Sequence, residues 1–188
     1  KAVQQAFPQA TVEVWATDQH RVGLKPILRR VWVRKGSRPR VAVQHRFQWL
    51  YLYSFVQPAS GQTEWVLLPT VRADVFTIAL AQFAQAVGAG PAKRILLVLD
   101  QAGWHTSKEL VVPEGIHFLF LPSHAPELQP CERLWPLSNE GVANQAFRTL
   151  DDLEAAQIQR CVALQNQPEV IHSHTHFHWW PPSSSKHQ

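Results

Sequence analysis

Arg94 to Leu121 reads RILLVLDQAGWHTSKELVVPEGIHFLFL, two apolar runs separated by a polar stretch containing Gly and Pro. The first run, Arg94 to Leu99, is continuous rather than alternating and bounded by turn signals, as expected of a strand buried on both faces. It ends at Asp100. The second, Ile116 to Leu121, reads as another buried strand. Between them the pattern predicts a short helix over Thr106 to Val111.

Working upstream, Phe76, Leu80, Phe83 and Val87 fall at helical spacing, the stripe of an amphipathic helix that Gly88, Gly90 and Pro91 bring to an end. Earlier still, Val12 to Thr17 reads as a strand ending at Asp18. Leu28 to Val33 alternates and precedes the turn signal Lys35-Gly36-Ser37, which predicts a hairpin into Val41 to Phe55. Glu64 to Leu68 is a further strand. Downstream, Pro130 suits the first position of a helical turn and Pro136 should kink or break it. Thr149 followed by Asp151 and Asp152 marks a helix start, with Leu150, Leu153, Cys161 and Leu164 facing the core. Early antiparallel strands followed by strand–helix alternation imply a mixed sheet covered by helices.

The chain has 188 residues, of which 45% are hydrophobic, enough for one domain with a sizeable core. No run approaches the ~18 apolar residues of a membrane span, so no membrane partner is expected. Two cysteines make no disulfide framework and suit a reducing cytosol. The chain starts with lysine and contains no methionine, which suggests a fragment of something longer. Its net charge of +4 is unevenly spread: no acidic residue lies between Asp18 and Glu64, while nine of the 18 Lys and Arg do. Taken alone, such a stretch reads first as a solvated face. A region of one sign also attracts polyanions, because neutralised phosphates release counterions.

Asp18 and Asp100 stand at the predicted carboxyl ends of strands, the edge where open α/β sheets bind ligands. Two such carboxylates can hold Mg2+, a hard ion that prefers oxygen. A lone strand-end aspartate, however, more often caps a turn or the next helix. The third carboxylate comes from Leu121 to Trp135, LPSHAPELQPCERLW. Here the chain resembles the mariner superfamily, specifically its bacterial insertion-sequence transposases with a DDE-type endonuclease domain. Leu121, Pro122, Pro126, Leu128, Pro130, Glu132, Leu134 and Trp135 carry the match. Leu97 to Ser107, LVLDQAGWHTS, is similar to the family's second-Asp block, with His105 at the usual offset. Val14 to Pro39 is similar to the first-Asp block and its basic hairpin.

The resemblance implies a ribonuclease H-like α/β domain over residues 1–180, a mixed sheet flanked by helices, with 181–188 a flexible tail. It implies that Asp18, Asp100 and Glu132 are the catalytic residues and hold two Mg2+ (or Mn2+) ions. The activity implied is metal-dependent cleavage of phosphodiesters at transposon ends, then strand transfer into target DNA, by a homodimer in the synaptic complex of a bacterial, nucleoid-containing cytoplasm. An upstream helix-turn-helix region that reads the inverted repeats is expected and not seen here. Lys25, Arg29, Arg30, Arg34, Lys35, Arg38 and Arg40 are the residues expected to grip DNA, largely through phosphates. For His105, a role near the scissile phosphate and simple hydrogen bonding to the strand edge stand equal.

Around the carboxylates the chain departs from the family's pattern. Gln101 stands where Asn is common, Gln19 where Glu is frequent, His124-Ala125 in place of an aromatic-Ser pair, and Gln129 in place of Asn. The 31 residues between Asp100 and Glu132 fall slightly below the family's usual spacing. Metal ligands depend on the groups that orient them, so two rival readings stand beside the first. One is a catalytically decayed remnant that binds DNA without cutting it, the other a stand-alone nuclease of the same fold. His172, His174, His176 and His178 would share one face if they lay in a strand, but a structural role is favoured over a metal cluster.

Overall fold

The alternation of side chains along the central strands builds two cores on opposite faces of one sheet. The computed structural model describes residues 2–40 and 43–181. Its strands are β1 (Thr11–Gly23), β2 (Trp49–Gln57), β3 (Gln62–Leu68), β4 (Lys93–Leu99) and β5 (Ile116–Phe120), in the order β3-β2-β1-β4-β5. β1, β2 and β3 form an antiparallel meander, while β4 and β5 run parallel to β1. The helices are α1 (Ala2–Ala6), α2 (Ala73–Val87), α3 (Leu134–Asn139), α4 (Leu150–Gln165) and α5 (Pro168–Thr175). This is the ribonuclease H-like arrangement, a mixed sheet flanked by helices. Among the described residues no helix is long and apolar enough to cross a membrane.

On one face Trp15, Phe55, Ile95, Leu97 and Leu99 pack against Phe76, Leu80 and Phe83 of α2. The rings of Phe55 and Phe83 stack at 4.2 Å. On the other face Ala16, Leu52, Val56 and Val98 meet Cys131, Leu134, Trp135, Cys161, Leu164 and Ile171. The continuous apolar run of β4 is thus buried on both sides, as its composition requires. A third cluster, Val22, Leu24, Val142 and Leu153, extends the core past the end of β1, with Leu150 packed against it.

Local signals set most of the helix ends. Gly88 adopts φ 68° and its N–H reaches back to Ala84 and Gln85, closing α2 in a left-handed cap open to glycine at no steric cost. Thr149 accepts from the Asp152 N–H while the Asp152 carboxylate accepts from the Thr149 N–H, a reciprocal capping box that starts α4. Pro130 opens a 3₁₀ turn, Pro130–Arg133, which runs directly into α3. Pro136 does not break α3, which continues to Asn139; it falls in the first turn, where its missing N–H has no partner within α3 to lose.

Three expectations require correction. β1 does not end at Asp18; it continues to Gly23, paired with β2 throughout. Residues 28–33 belong to no strand, and β2 begins only at Trp49. The turn at Lys35-Gly36 does form, with Ser37 donating to the Arg34 carbonyl. Its flanks have no second layer to bury them: Leu28 is 60% exposed and Trp32 fully so, and an isolated hairpin is marginal in water. Positions 41 and 42 of the expected second strand lie outside the described residues. Residues 106–111 form a bend and a turn and not a helix. The C-terminal histidines do not share the single face a strand would give them: His172 and His174 lie on α5 and His176 and His178 beyond it. The predicted tail from 182 onward also falls outside the described residues.

Leu134 is fully buried directly behind the Pro130–Arg133 turn. Leu134→Ala is expected to cost about 2–5 kcal/mol of folding free energy, read from urea unfolding curves.

Candidate active site

The last β1–β4 pair is Ala16 opposite Val98. Asp18 and Asp100 each stand two residues further along their strands. Since side chains alternate with period two, both carboxylates emerge at one level on the face of Ala16 and Val98. β4 has ended by then, whereas β1 continues with Asp18 opposite Ser54 of β2. The parallel pairing therefore opens beneath the two aspartates and leaves a cleft.

Glu132 reaches that cleft from the opposite layer. Pro130 and Cys131 of its 3₁₀ turn are buried, as are Leu134 and Trp135 that follow. This packing seats the turn on the sheet. Asp18, Asp100 and Glu132, 114 residues apart at the extremes, all line one cleft of about 480 Å³, together with Gln101, His124 and Gln129. Among the described residues no Lys or Arg lines it. His124 holds its part of the wall at φ 59°, a left-handed conformation that histidine visits more readily than most residues.

The electrostatics follow from burial and like charge. Burial lifts the Asp18 carboxyl from its ordinary 3.8 to about 7, and the negative charges of Glu132 and Asp100 push the same way. The N–H of Gln19, donating to Asp18 Oδ1 at 2.8 Å, opposes this in part. Asp100 behaves oppositely: its hydrogen bond from His105 holds it below the ordinary value, helped by the Ala102 N–H. The two aspartates are thus electrostatically distinct: burial outweighs the donor at Asp18, and the His105 donor outweighs burial at Asp100.

His105 lies with Nδ1 2.7 Å from Asp100 Oδ1 and its side chain fully buried. Its ring packs against Phe76 at 4.6 Å and edge-on against Trp104. Of the two roles left open by the sequence, the hydrogen bond to the strand edge is present.

The donor set suits a hard divalent cation in kind: three carboxylates, no thiol, and a buried acid short of positive charge. Among the described residues, however, no group of three or more His, Cys, Asp or Glu side chains is gathered closely enough to hold an ion as the side chains stand. Mg2+ is commonly held by one or two carboxylates, with waters and substrate phosphates completing its shell. The cleft therefore fits a cation in chemistry and position without presenting a closed three-ligand cage. Nor do the C-terminal histidines form a cluster. His172 bonds the Pro58 carbonyl, His174 bonds Val170 of its own helix, and the rings of His172 and His176 stack at 4.6 Å.

The basic segment is tied down at its root. Asn144, itself at φ 59°, bonds both the N–H and the carbonyl of Arg29, and its own N–H reaches Ile27. Gln44 bonds Leu24 and Phe147, and Arg46 reaches the Arg148 carbonyl. Lys25, Arg30, Arg34, Lys35, Arg38 and Arg40 are exposed. Arg29 is different: it is half-buried and spends its guanidinium on the Pro136 carbonyl at 2.8 Å. Sequence reasoning assigned it to DNA and overlooked Asn144, whose only signal is a polar residue in a loop before a helix.

Residues 13–154 match the DDE superfamily endonuclease family, a span that contains all three carboxylates. The chain belongs to this family. An uncharacterized protein of Sinorhizobium fredii (y4pE/y4sA) is 32% identical over 120 residues, covering 63% of this chain and 84% of that protein. Among solved structures, the mariner Mos1 paired-end complex with Mn is similar with a TM-score of 0.58 and 15% identity, over 89% of this chain and 57% of the Mos1 chain. The Mos1 transposase paired-end complex with the left transposon end gives 0.55 and 14%, over 92% of this chain and 57% of the other. A simian T-cell lymphotropic virus intasome in complex with PP2A regulatory subunit B56 gamma gives 0.50 and 11%, over 95% and 59%. At these identities the likeness is one of fold. The chain spans somewhat more than half the length of each of these solved chains.

The raised pKa of Asp18 has a measurable consequence in the metal-free DDE domain. The folded state keeps a proton that the unfolded chain releases near 3.8, so this group's contribution to stability is full below that pH and declines until about 7. Asp18→Asn should remove this decline and gain on the order of a few kcal/mol above neutrality. Melting curves at about pH 5 and about pH 8 test it; equal effects of the substitution at both would contradict a buried, uncompensated carboxyl.

Proposed function

We propose that the chain is the catalytic domain of a DNA transposase: it cleaves phosphodiester bonds at transposon ends and transfers the freed 3′-hydroxyl into target DNA. The observation that carries this reading is the meeting of Asp18, Asp100 and Glu132, from three separate elements, in one cleft that no described Lys or Arg lines. Family membership supports a phosphodiester-cleaving enzyme, and the fold is shared with Mos1 transposase, known in complexes with transposon ends, Mn and Mg.

In this proposal Asp18, Asp100 and Glu132 hold Mg2+ or Mn2+, as a pair of ions when DNA is bound. Bound there, the metal would polarise phosphate oxygens and ease deprotonation of an attacking water. The protein's own part is positional and electrostatic. His105 fixes the orientation of Asp100, and the buried setting of Asp18 concentrates negative charge where a cation must neutralise it. The exposed cations Arg30, Arg34, Lys35, Arg38 and Arg40 lie along the DNA backbone, on an arm whose root is fixed by Asn144. Contacts of that kind position DNA without reading its sequence. The assembly proposed is a homodimer engaging two ends, in keeping with the paired-end complexes of Mos1 transposase, in the cytoplasm of a bacterium. Lys25 belongs to the same contact surface; Arg29 acts there by holding the arm in place.

A duplex carrying a transposon end should be nicked with Mg2+ or Mn2+, and Asp100→Asn should reduce nicking to background; a variant that cuts as well as the parent refutes the assignment. Binding without nicking, and without Mn2+ uptake in calorimetric titration, would favour the decayed remnant. Preference for an RNA–DNA hybrid over the transposon end would favour the stand-alone nuclease. For the arm, joint replacement Arg34→Glu, Lys35→Glu and Arg38→Glu should weaken DNA binding and lower the slope of log affinity against log salt by about 3, roughly one for each phosphate no longer neutralised. An unchanged slope would leave these residues no role in gripping DNA.

A further inference from the structure

Three glutamines stand beside the carboxylates at places where the family's pattern has other residues, and each bridges two of the segments that form the cleft. Gln129, which is 4% exposed, donates to the Thr17 carbonyl at 3.0 Å, and its Oε1 accepts from the Cys131 N–H at 3.3 Å. It thereby joins the residue before Asp18 to the residue before Glu132. Gln19, on the opposite face of β1 from Asp18, accepts from Trp104 Nε1 at 2.9 Å. That bond ties β1 to the loop that carries Asp100 and His105. Gln101 donates to the Leu121 carbonyl at 2.9 Å, joining the same loop to the end of β5, where the stretch leading to Glu132 begins.

We propose that Gln19, Gln101 and Gln129 are positioning residues that hold the three carboxylate-bearing segments around one cleft, so that their side chains can close on a divalent cation. The inference rests on the metal reading given above and adds a role that the acidic residues alone do not explain. Repulsion among three carboxylates in one partly buried cleft drives the segments apart. Neutral amides oppose that opening with hydrogen bonds while adding no further charge. The bridges act from both faces of the sheet: Gln129, on the side of the carboxylates, joins β1 to the turn of Glu132, and Gln19, from behind, holds the loop of Asp100, which cannot swing away from β1 without breaking the bond to Trp104. Side-chain length matters at position 129, because shortening the arm by one methylene draws the amide back from the Thr17 carbonyl.

The test is Mn2+ binding to the full chain, followed by loss of the free-ion signal in electron paramagnetic resonance, with melting curves recorded alongside. Gln129→Met keeps the side-chain volume and removes both hydrogen bonds; it should weaken Mn2+ binding about tenfold, the lower end of what groups orienting metal ligands contribute. Gln101→Met, at an exposed position where folding is not at risk, should weaken it less but in the same direction. Gln129→Asn should resemble the methionine variant if reach is what counts. Parent-like affinity in both methionine variants, with Asp100→Asn losing the ion, overturns the positioning role alone. A parent chain that takes up no Mn2+ overturns the metal reading, and this inference with it.

Discussion

Gathering three carboxylates in one cleft sets negative charge against negative charge, and the rest of the structure can be understood as what restrains them. Asp18 feels this most, being buried and close to both Glu132 and Asp100. The parallel register of β1 and β4 fixes the first two at one level of the sheet. The third is pressed into place by apolar contacts of Cys131, Leu134 and Trp135 with Ala16, Leu52 and Val98. A hydrophobic core on one face of the sheet thus does mechanical work for the polar site at its edge.

The division of labour between the two faces is consistent with that view. The α2 face is dense with aromatic rings and supports His105 from behind, through Phe76 and Trp104. The α3–α5 face carries the turn of Glu132. Asp100 therefore takes its orientation from one core and Glu132 its position from the other, with Asp18 on the strand between them. A change deep in either core reaches the site through a short chain of neighbouring side chains.

The basic segment is a different kind of element. Among its described residues it has no ladder partners and exposes Trp32 and most of its cations, and side-chain bonds tie down its root. Such a segment is shaped by anchoring and charge rather than by a core, so a strand pattern alone misreads it. The alternation of 28–33 suggests a sheet edge, yet no surface faces it that would bury the apolar side.

Much was legible from the residues alone. Continuous apolar runs, the helical stripe of α2 and the Thr149 cap are local signals, and local physics settled them. The three acidic positions were legible through motif context, since each sits beside a strand or turn whose composition is distinctive. What required the folded chain was everything that depends on distance between remote segments. That Asp18 lies within β1 rather than at its end follows from β2 continuing beside it after β4 has stopped. That Arg29 is spent on a carbonyl, that His105 is enclosed, and that three glutamines bridge the cleft all follow from partners 5 to 112 positions away. A sequence determines which segments can be buried, because hydrophobicity and backbone preference are properties of neighbours along the chain. Which polar group meets which is decided only when packing brings distant segments together.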